Sequence, residues 1–322
     1  MQRLASGGLR AYDVGDAGAR KGSILAERNV VTIIVNPISG EGASYHKAAL
    51  LAKRLDRRGI PSRLWTTEQA RQGGTLAHQA APESRAVVAV GGDGTVNDVV
   101  QGLVGTDTPL AVLPTGTANV LAHELGIRKH VSSTVKVVTN RRVRRMDLGY
   151  AGGQYFVCMA SCGFDAAVTY QMHRHRTGNI NYAHYVPMTL KAFWNYDYPE
   201  LRVTVDGKVL PEPAYHVIIG NTRSYGGPFK IATRAWNDDG LLDVVIFCGR
   251  GPVWLGAYLL STIFRGHVLL PRVHMLRGRR VEIESSGPVP YQLDGDFAGY
   301  SPLTAEVREH ALAVLMSPRK RG

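Results

Sequence analysis

The sequence predicts two domains of different fold class: an N-terminal three-layer α/β domain with a parallel sheet, and then a mainly antiparallel β domain. From residue 30 to about 125, apolar runs of strand length alternate four times with helical patterns, which is typical of a parallel sheet covered by helices on both faces. After Met146 the apolar runs are short and are separated by Gly, Pro, Asp and Asn, as in antiparallel sheets. The length of 322 residues also suits two domains.

In the first half, each element follows from its hydrophobic pattern. Val30–Val35 is a continuous β-branched run, which is the pattern of a strand buried on both faces. It ends in a turn composition at 36–40, and a helical pattern that stops at Gly59 follows. The predicted elements are strand 30–35, helix 44–58, strand 62–65, helix 75–81, strand 85–90, helix 96–103, strand 110–113 and a helix that ends at Leu125.

In the second half, short apolar or alternating runs predict strands and two longer runs predict helices. The strands are expected at 155–160, 201–205, 216–219, 242–247, 281–285 and 307–315, and the helical insertions at 183–195 and 252–265. We divide the chain into a flexible N-terminal extension (1–28), the α/β domain (29–146) and the β-rich domain (147–303). The segment of about 304–318 is expected to pack back on the first domain.

The charge balance indicates an anionic partner. Lys and Arg number 38, against 26 for Asp and Glu. Nucleic acid, an acidic membrane surface or phosphate groups would suit such a surface, and a basic surface without a partner is the alternative. The excess lies in three clusters: Arg141, Arg142, Arg144 and Arg145; Arg277, Arg279 and Arg280; and Arg319 to Arg321. Because no nucleic-acid-reading motif or aromatic platform is visible, we expect no nucleic acid.

The cysteines and the apolar segments indicate in which cellular compartment the protein is expected. Three cysteines without CxxC spacing exclude a zinc ribbon or a disulfide framework and indicate a reducing compartment. The longest apolar stretch, Pro252 to Phe264, falls short of the ~20 residues that span a bilayer. Residues 1–28 lack the apolar core of a signal peptide. We therefore expect a cytoplasmic protein, soluble or transiently associated with a membrane.

Three strand-to-loop junctions in the first half end in small or hydroxylated residues: Asn36–Gly40, Gly91–Thr95 and Pro114–Asn119. In an open α/β sheet, ligands bind beyond the carboxyl ends of the strands. Each loop also leads into a helix, whose free N–H groups and dipole attract phosphate. One glycine-rich loop is as easily a structural turn, but three on one face predict a nucleotide-phosphate site.

Asp93 is the acid of this predicted phosphate site. Beside a polyphosphate it would hold Mg²⁺, directly or through water, because a bare carboxylate and phosphate repel each other. The alternative role, compatible with the first, is a helix N-cap.

Taken together, these loops resemble the diacylglycerol kinase catalytic-domain family, which includes bacterial lipid kinases and sphingosine and ceramide kinases. GGDGTVNDVVQGL at 91–103 is followed by PTGTAN at 114–119 and preceded by NPISG at 36–40. GGDGT alone also occurs in NAD kinases and phosphofructokinases, so the spacing to PTGTAN and the NPISG start make the resemblance specific. It covers roughly residues 30–318. The resemblance implies an ATP-binding α/β domain followed by a β-sandwich-like lipid-binding domain.

For the nucleotide site, the resemblance assigns residues one by one. Those implied to contact ATP and its phosphates are Asn36, Pro37, Ser39, Gly40, Thr67, Gly91, Gly92, Asp93, Gly94, Thr95, Asn97, Asp98, Thr115, Gly116, Thr117 and Asn119. Thr66 is an alternative to Thr67. Many members continue with Asp-Phe-Ala-Arg after the asparagine, whereas this chain has Val120-Leu121-Ala122-His123.

In the second half, two further segments resemble family elements. Residues 221–227, NTRSYGG, resemble a segment that ends in Tyr-Gly-Gly-Gly, with Pro228 in place of the last glycine. Residues 236–243 resemble an element that binds a structural divalent cation in bacterial members. The implied ligands are Asp239 and the backbone carbonyls of Trp236 and Leu241, which suit Mg²⁺ or Ca²⁺. A turn without metal is the alternative.

The sequence Leu293-Asp294-Gly295-Asp296 resembles the family's Asp-Gly-Glu element. The resemblance implies that Asp294 is the catalytic base, with Asp93 and Asp296 as the other catalytic acids. Asp296 is one methylene shorter than the family's Glu. From the residues alone, Asp-Gly is equally the signature of a hairpin turn.

The resulting hypothesis is an ATP-dependent lipid kinase that transfers the γ-phosphoryl group to a hydroxyl of a diacylglycerol-like or sphingoid lipid, with ATP and Mg²⁺ as cofactors. The expected partners are the lipid and an anionic membrane surface, and a homodimer is allowed for. An NAD kinase-like enzyme and a non-catalytic lipid-binding regulatory protein are the alternatives. The apolar stretch 252–264, with Arg272 and Arg277–Arg280, is the expected membrane contact, although a core helix has the same pattern.

Overall fold

The computed structural model describes residues 29–174, 193–194, 196–225, 229–264 and 266–317. The predicted extension at 1–28, nearly all of the helical insertion predicted at 183–195, Gly226–Pro228 and the cluster Arg319 to Arg321 lie outside these residues. In the described part of the chain, no helix is both long enough and apolar enough to cross a membrane.

Strands and helices alternate in the first half, and strands dominate the second. The helices are α1 (Ala43–Asp56), α2 (Gln72–Ala80), α3 (Asp93–Leu103), α4 (Val120–Glu124), α5 (Val131–Asn140), α6 (Phe164–Arg174) and α7 (Pro252–Ile263), with short 3-10 turns at Ser39–Gly42, Ala81–Glu83 and Gly266–Leu269. The strands are β1 (Val30–Val35), β2 (Ser62–Thr66), β3 (Ser84–Gly91), β4 (Leu110–Pro114), β5 (Val143–Ala151), β6 (Gln154–Phe156), β7 (Met159–Gly163), β8 (Leu201–Val205), β9 (Lys208–Val209), β10 (His216–Gly220), β11 (Ser224–Tyr225), β12 (Phe229–Lys230), β13 (Leu242–Phe247), β14 (Val273–Gly278), β15 (Arg280–Ser285), β16 (Pro290–Leu293), β17 (Asp296–Tyr300) and β18 (Leu303–Leu315).

A ten-stranded sheet runs through the molecule in the order β2-β1-β3-β4-β18-β15-β8-β9, and in addition β5 pairs with β18 and β6 pairs with β5. Its first four strands are mutually parallel, as the sequence predicts. Strand β18 joins β4 in parallel through Val314 and Leu110, and pairs antiparallel with β5 and β15. The carboxyl ends of β1, β3 and β4 therefore lie side by side at one edge.

A second sheet of six strands, in the order β14-β13-β10-β7-β16-β17, is antiparallel throughout. Alternate residues of β8, β15 and β18 form one buried apolar cluster with alternate residues of β7, β10 and β13. Two sheets that share a core in this way form a sandwich. The predicted fold class, a parallel α/β domain followed by an antiparallel β-sandwich-like domain, is thus confirmed.

The burial pattern explains why the first half folds as predicted. Strands β1, β3 and β4 are buried on both faces because helices cover both, and their residues are almost all β-branched, Leu or Ala. In α3, the buried Val96, Val99, Val100 and Leu103 recur every three or four residues, which places them on one face.

Several elements escape the sequence patterns. Helices α5 and α6 and strands β5, β14, β16 and β17 lie outside the predicted elements. Helix α5 has a helical repeat of buried residues, but it consists almost entirely of β-branched and polar residues, which favour a helix only weakly. The predicted strand at 155–160 is in fact broken into β6 and β7. The break has a physical cause: the N–H groups of Val157 and Cys158 donate to the carboxylate of Asp294.

Candidate functional site

The three loops singled out in the sequence lie together at the carboxyl edge of the parallel strands. We call them loop 1 (36–42, after β1), loop 2 (91–95, after β3) and loop 3 (114–119, after β4). The N–H of Asn36 donates to the carbonyl of Val90 at 3.3 Å, and that of Thr115 to the carbonyl of Gly91 at 3.0 Å. Adjacent parallel strands thus align the starts of all three loops.

A serine that the sequence analysis missed joins loop 1 to loop 3. Ser44, fully buried in the first turn of α1, contacts the Ser39 carbonyl at 2.7 Å and the Thr115 hydroxyl at 2.8 Å. The side chain of Asn36 accepts the N–H of Ile38 and so fixes the turn of loop 1. A serine at the start of a helix is too common to signal such a bridge.

Loops 2 and 3 approach each other backbone to backbone. A Cβ added to Gly116 would lie 2.6 Å from the Cα of Gly92, which is closer than real Cβ contacts come. Gly94, by contrast, faces open space, and nothing lies within 4 Å of a Cβ built on it. Because Gly94 is in the first turn of α3, the open space lies where the N–H groups without intrahelical partners are found. That arrangement suits an anion.

Asp93 ties loop 2 to loop 3. Its two carboxylate oxygens accept the N–H groups of Asn119 at 2.7 Å and Val120 at 2.6 Å. Burial raises the pKa of Asp93, and these two N–H groups oppose the rise. The acid therefore caps α4 rather than its own helix. Each oxygen keeps a further lone pair, so the residue also fits a Mg²⁺-bound water.

Loop 3 is closed by Asn119 and covered by a lysine. Asn119 has a positive φ of 51°, and its side-chain amide bonds both the N–H and the carbonyl of Gly116. The ammonium group of Lys129 donates to the carbonyls of Gly116 and Thr117 at 2.8 and 3.2 Å. Lys129 lies outside every motif, and only the tertiary structure brings it to loop 3.

Two further residues predicted to contact the nucleotide, Thr67 and Asp98, make different contacts in the structure. Thr67 is buried just after β2, where its N–H donates to the carbonyl of Val35, next to loop 1. Thr66 is exposed. Asp98 instead accepts the N–H of Gly73 at 2.7 Å, at the start of α2, and burial raises its pKa. Asp98 thus holds α2 against α3.

The antiparallel domain contributes Asp294 through a two-residue turn between β16 and β17. Asp294 and Gly295 both have positive φ, 50° and 90°, which is the type I′ hairpin turn that Asp-Gly favours. Asp296 follows as the exposed first residue of β17. The turn and the acid therefore coexist, and the hairpin presents Asp294 to the first domain.

The Asp294 carboxylate is enclosed by four donors. One oxygen accepts Asn97 Nδ2 at 2.9 Å and the N–H of Val157 at 2.6 Å, and the other accepts the N–H groups of Cys158 and Met159 at 2.8 and 2.9 Å. Burial raises the pKa of Asp294 to about 6, although the three backbone donors lower it. The nearby charge of Asp93 adds to the rise.

Asn97 is itself held in place by a residue that the sequence analysis missed. Gln101, one turn further along α3, donates to the side-chain oxygen of Asn97 at 2.6 Å and to the carbonyl of Tyr155 at 2.9 Å. The N–H of Tyr155 returns a hydrogen bond to Gln101. The helix that begins at loop 2 is thereby joined to β6 through Gln101 and to Asp294 through Asn97.

The predicted cation element forms a turn whose acid is already paired. Asp239 accepts the N–H of Leu241 and makes an ion pair with Arg277, which also contacts Asp243. The ring of Trp236 lies under the guanidinium of Arg223, 4.0 Å from its centre. A divalent cation on Asp239 would share the carboxylate with Arg277, so cation binding at this element stays a prediction.

The two halves of the chain match two family models. Residues 30–151 match the diacylglycerol kinase catalytic domain, and residues 158–316 match the YegS C-terminal NAD kinase beta sandwich-like domain. A diacylglycerol kinase of Mycobacterium tuberculosis (strain H37Rv) is 32% identical over 313 residues, which cover 94% of this chain and 95% of that protein. A diacylglycerol kinase of Bacillus subtilis (strain 168) is 27% identical over 274 residues, 84% and 90% of the two chains.

The fold has a solved counterpart. A crystal structure of a diacylglycerol kinase from Bacillus anthracis str. Sterne superposes with a TM-score of 0.71 at 20% identity, covering 90% of this chain and 97% of that one. At this identity the likeness concerns the fold alone. The two family models and the 32% identity along nearly the whole chain establish the relationship: the chain belongs to the diacylglycerol kinase catalytic-domain family.

Proposed function

We propose that this protein is an ATP-dependent lipid kinase, which transfers the γ-phosphoryl group of ATP to a hydroxyl group of a lipid. One observation supports this most: Asp294, an enclosed acid from the antiparallel domain, is hydrogen-bonded to Asn97 on the helix that begins at loop 2. A helix N-terminus that suits an anion and a carboxylate with a raised pKa thus lie in one site, an arrangement that suits phosphoryl transfer to an alcohol.

In this proposal the nucleotide phosphates lie against loop 2 and loop 3. The backbone N–H groups of the first turn of α3 face the open space beside Gly94, and the exposed Thr117 adds a hydroxyl donor. Asp93 keeps loop 3 in position by its bonds to Asn119 and Val120. Mg²⁺ bound with ATP would neutralise phosphate charge, and Asp93 is the acid best placed to hold its water shell.

Asp294 acts as the base. The carboxylate accepts the proton of the lipid hydroxyl while the oxygen attacks phosphorus, because an alcohol is too weak an acid to ionise beforehand. With a pKa of about 6, the group is mostly ionised at neutral pH and still more basic than an ordinary aspartate. To receive the proton, one carboxylate oxygen gives up one of its two hydrogen bonds. For the oxygen that accepts Asn97 Nδ2 and the N–H of Val157, we expect the bond from Asn97 to be exchanged, because a side chain can rotate away whereas a backbone N–H cannot.

Helix α7 is our candidate for contact with the lipid surface. Val253, Leu260 and Phe264 are 83%, 62% and 79% exposed, and Leu269 follows in the next turn with an exposed side chain. Exposed apolar groups in one segment are typical of an interaction surface. Arg277, Arg279 and Arg280 lie at or just after the end of β14 that pairs with the start of β13, whereas α7 follows the end of β13, and all three form ion pairs with acids of the protein. Arg272, whose guanidinium lies 6.0 Å from the centre of the Trp254 ring in α7, is the basic residue of the predicted contact that lies beside the helix.

A phosphorylation assay tests the proposal. Radiolabelled ATP is supplied with diacylglycerol, monoacylglycerol, a sphingoid base, ceramide or phosphatidylglycerol in mixed micelles, and with NAD as the soluble acceptor. We expect label in at least one lipid, diacylglycerol first, and none in NAD. Label in NAD alone would indicate the NAD kinase-like alternative. Absence of label from every acceptor, with ATP bound, would indicate a non-catalytic protein.

Vesicle sedimentation tests the membrane contact separately. The double variant Leu260→Asp/Phe264→Asp should lose binding to anionic vesicles at low salt, while Val209→Asp, an equally apolar but unrelated exposed position on β9, should not. Equal binding of all three proteins would exclude α7 as the contact.

A further inference from the structure

Three side chains of different ligand type meet in the antiparallel domain, and none of them takes part in the site described above. The carboxylate of Glu212, the thiol of Cys248 and the imidazole of His274 have ligand atoms that all lie within 4.8 Å of one another. His274 Nε2 and the Glu212 carboxylate are 2.6 Å apart. Cys248 is buried, while Glu212 and His274 are partly exposed.

The fold fixes these positions. Strands β13 and β14 are antiparallel, with Ile246 opposite His274, so Cys248, just after β13, is the diagonal neighbour of His274 on the same face. The N–H of Cys248 donates to the carbonyl of Arg272, which extends the pairing past the strand ends. Glu212 reaches the pair from the segment that precedes β10, the strand on the other side of β13.

We propose that Glu212, Cys248 and His274 bind a Zn²⁺ ion, with water as the fourth ligand. Tetrahedral zinc with bonds of about 2.0–2.3 Å separates its ligand atoms by roughly 3.3–3.7 Å. The separations in this cluster, from 2.6 Å to at most 4.8 Å, bracket that value. Side-chain rotations at the partly exposed Glu212 and His274 that move their ligand atoms by about 1 Å bring the three ligand atoms to these separations.

The ligand set selects the metal. A thiolate with an imidazole favours Zn²⁺ over Mg²⁺ or Ca²⁺, which take oxygen ligands. On binding, the Cys248 thiol releases its proton to the buffer and the sulfur forms a bond to the ion. Glu212 also lines an open cleft with Glu200, Glu284 and Arg202. Three carboxylates against one guanidinium leave this opening with a net negative charge, which attracts a cation toward the cluster.

The site would link the two ends of one connection. Residues 249–272 join β13 to β14 and contain α7, and Cys248 and His274 lie on either side of this connection. An ion bound to Cys248 and His274, and to Glu212 from the segment before β10, would hold together the start and the end of the connection that contains α7. Since binding would occur only in the folded state, Zn²⁺ is expected to stabilise the protein.

Co²⁺ spectroscopy and Zn²⁺ calorimetry on the full chain test this site. With Co²⁺ alone, the wild type should show a thiolate-to-metal band in the near ultraviolet, at one ion per chain. Cys248→Ala should lose the band, whereas Cys162→Ala, which removes another buried thiol, should keep it. His274→Gln and Glu212→Gln should each weaken Zn²⁺ binding by at least about tenfold.

Two outcomes would overturn the proposal: a wild-type Co²⁺ spectrum without a thiolate band, or a band that persists in Cys248→Ala. If Cys248→Ala does not fold, the two other variants decide, because their side chains are partly exposed. Wild-type Zn²⁺ affinity in both His274→Gln and Glu212→Gln would then exclude the site, and a loss in both would support it.

Discussion

The parallel and the antiparallel halves of the molecule contribute to the candidate site by different means. The parallel half contributes backbone groups. Loops 1, 2 and 3 follow adjacent strands, and Gly92, Gly94 and Gly116 carry no side chain that would fill the space beside these loops. The antiparallel half offers one side chain, Asp294, on a tight turn. The proposed phosphate site thus depends on strand ends that coincide, whereas the proposed proton acceptor depends on an enclosed position made by distant segments.

The same contrast appears in the two acids. Asp93 uses its two oxygens to hold the start of α4, and Asp294 accepts four donors from two parts of the chain, Asn97 and residues 157–159. Burial raises the pKa of both groups, and for Asp294 it reaches about 6. We therefore propose a mainly positioning role for Asp93 and proton transfer for Asp294.

The largest effect is expected for Asp294→Asn, which removes the proton acceptor. We expect kcat on the best lipid acceptor to fall by about 10²–10⁴. The amide offers one acceptor to four donors, so the variant also loses some stability, and an unchanged ATP affinity by calorimetry shows that it is folded. Asp296→Asn, at the exposed residue two positions further along the same hairpin, is the matched control and should keep activity within a few-fold. A larger loss in Asp296→Asn than in Asp294→Asn would move the base to Asp296.

Gly94→Val should have the next largest effect, confined to the parallel half. Because the position faces open space, the side chain is accommodated by the fold but displaces phosphate from the first turn of α3. The loss of two hydrogen bonds to charged phosphate, at about 1.5–3 kcal/mol each, lowers ATP affinity at least about a hundredfold. Gly287→Val, also in open space, is the control in the same calorimetric titration. ATP binding that is equal in both variants would exclude the assigned phosphate site.

Asp93→Asn should mainly reduce stability. The amide accepts only one of the two N–H groups at Asn119 and Val120, and a buried donor left unpaired costs about 1–3 kcal/mol. Denaturant unfolding measures the change, with Asp107→Asn as the control, since that acid makes a surface ion pair worth at most about 1 kcal/mol. Equal stability of the two variants would show that Asp93 does not hold loop 3.

The smallest effect concerns Asp239. If it binds Mg²⁺ or Ca²⁺, the cation competes with Arg277 for one carboxylate, so added cation should raise the free energy of unfolding by less than about 1 kcal/mol. Asp239→Asn should remove that response. Wild-type melting curves that do not change with cation or chelator would show that Asp239 binds no cation and only forms the ion pair with Arg277.

The sequence predicts the parallel half better than the antiparallel half, for a physical reason. Strands such as Val30–Val35 and the glycine-rich loops can be recognised in short stretches of sequence. A run of β-branched residues indicates burial on both faces, and clustered glycines indicate a turn or a close backbone approach. Ser44 and Lys129 contribute through contacts between distant segments, which no local pattern records. The break at Val157 follows from a carboxylate more than 130 residues further along the chain.

The pH dependence of the rate at low, subsaturating MgATP and lipid tests most directly whether Asp294 is the base, because under these conditions the profile reports the free enzyme. The ionised form is the active one, so this rate should be constant at neutral pH and fall about tenfold per pH unit below the pKa of about 6. The Asp296→Asn variant should give the same profile as the wild type, and the residual activity of Asp294→Asn should lose this dependence. A wild-type rate at subsaturating MgATP and lipid that stays constant from pH 7 to pH 5 would contradict the assignment of Asp294.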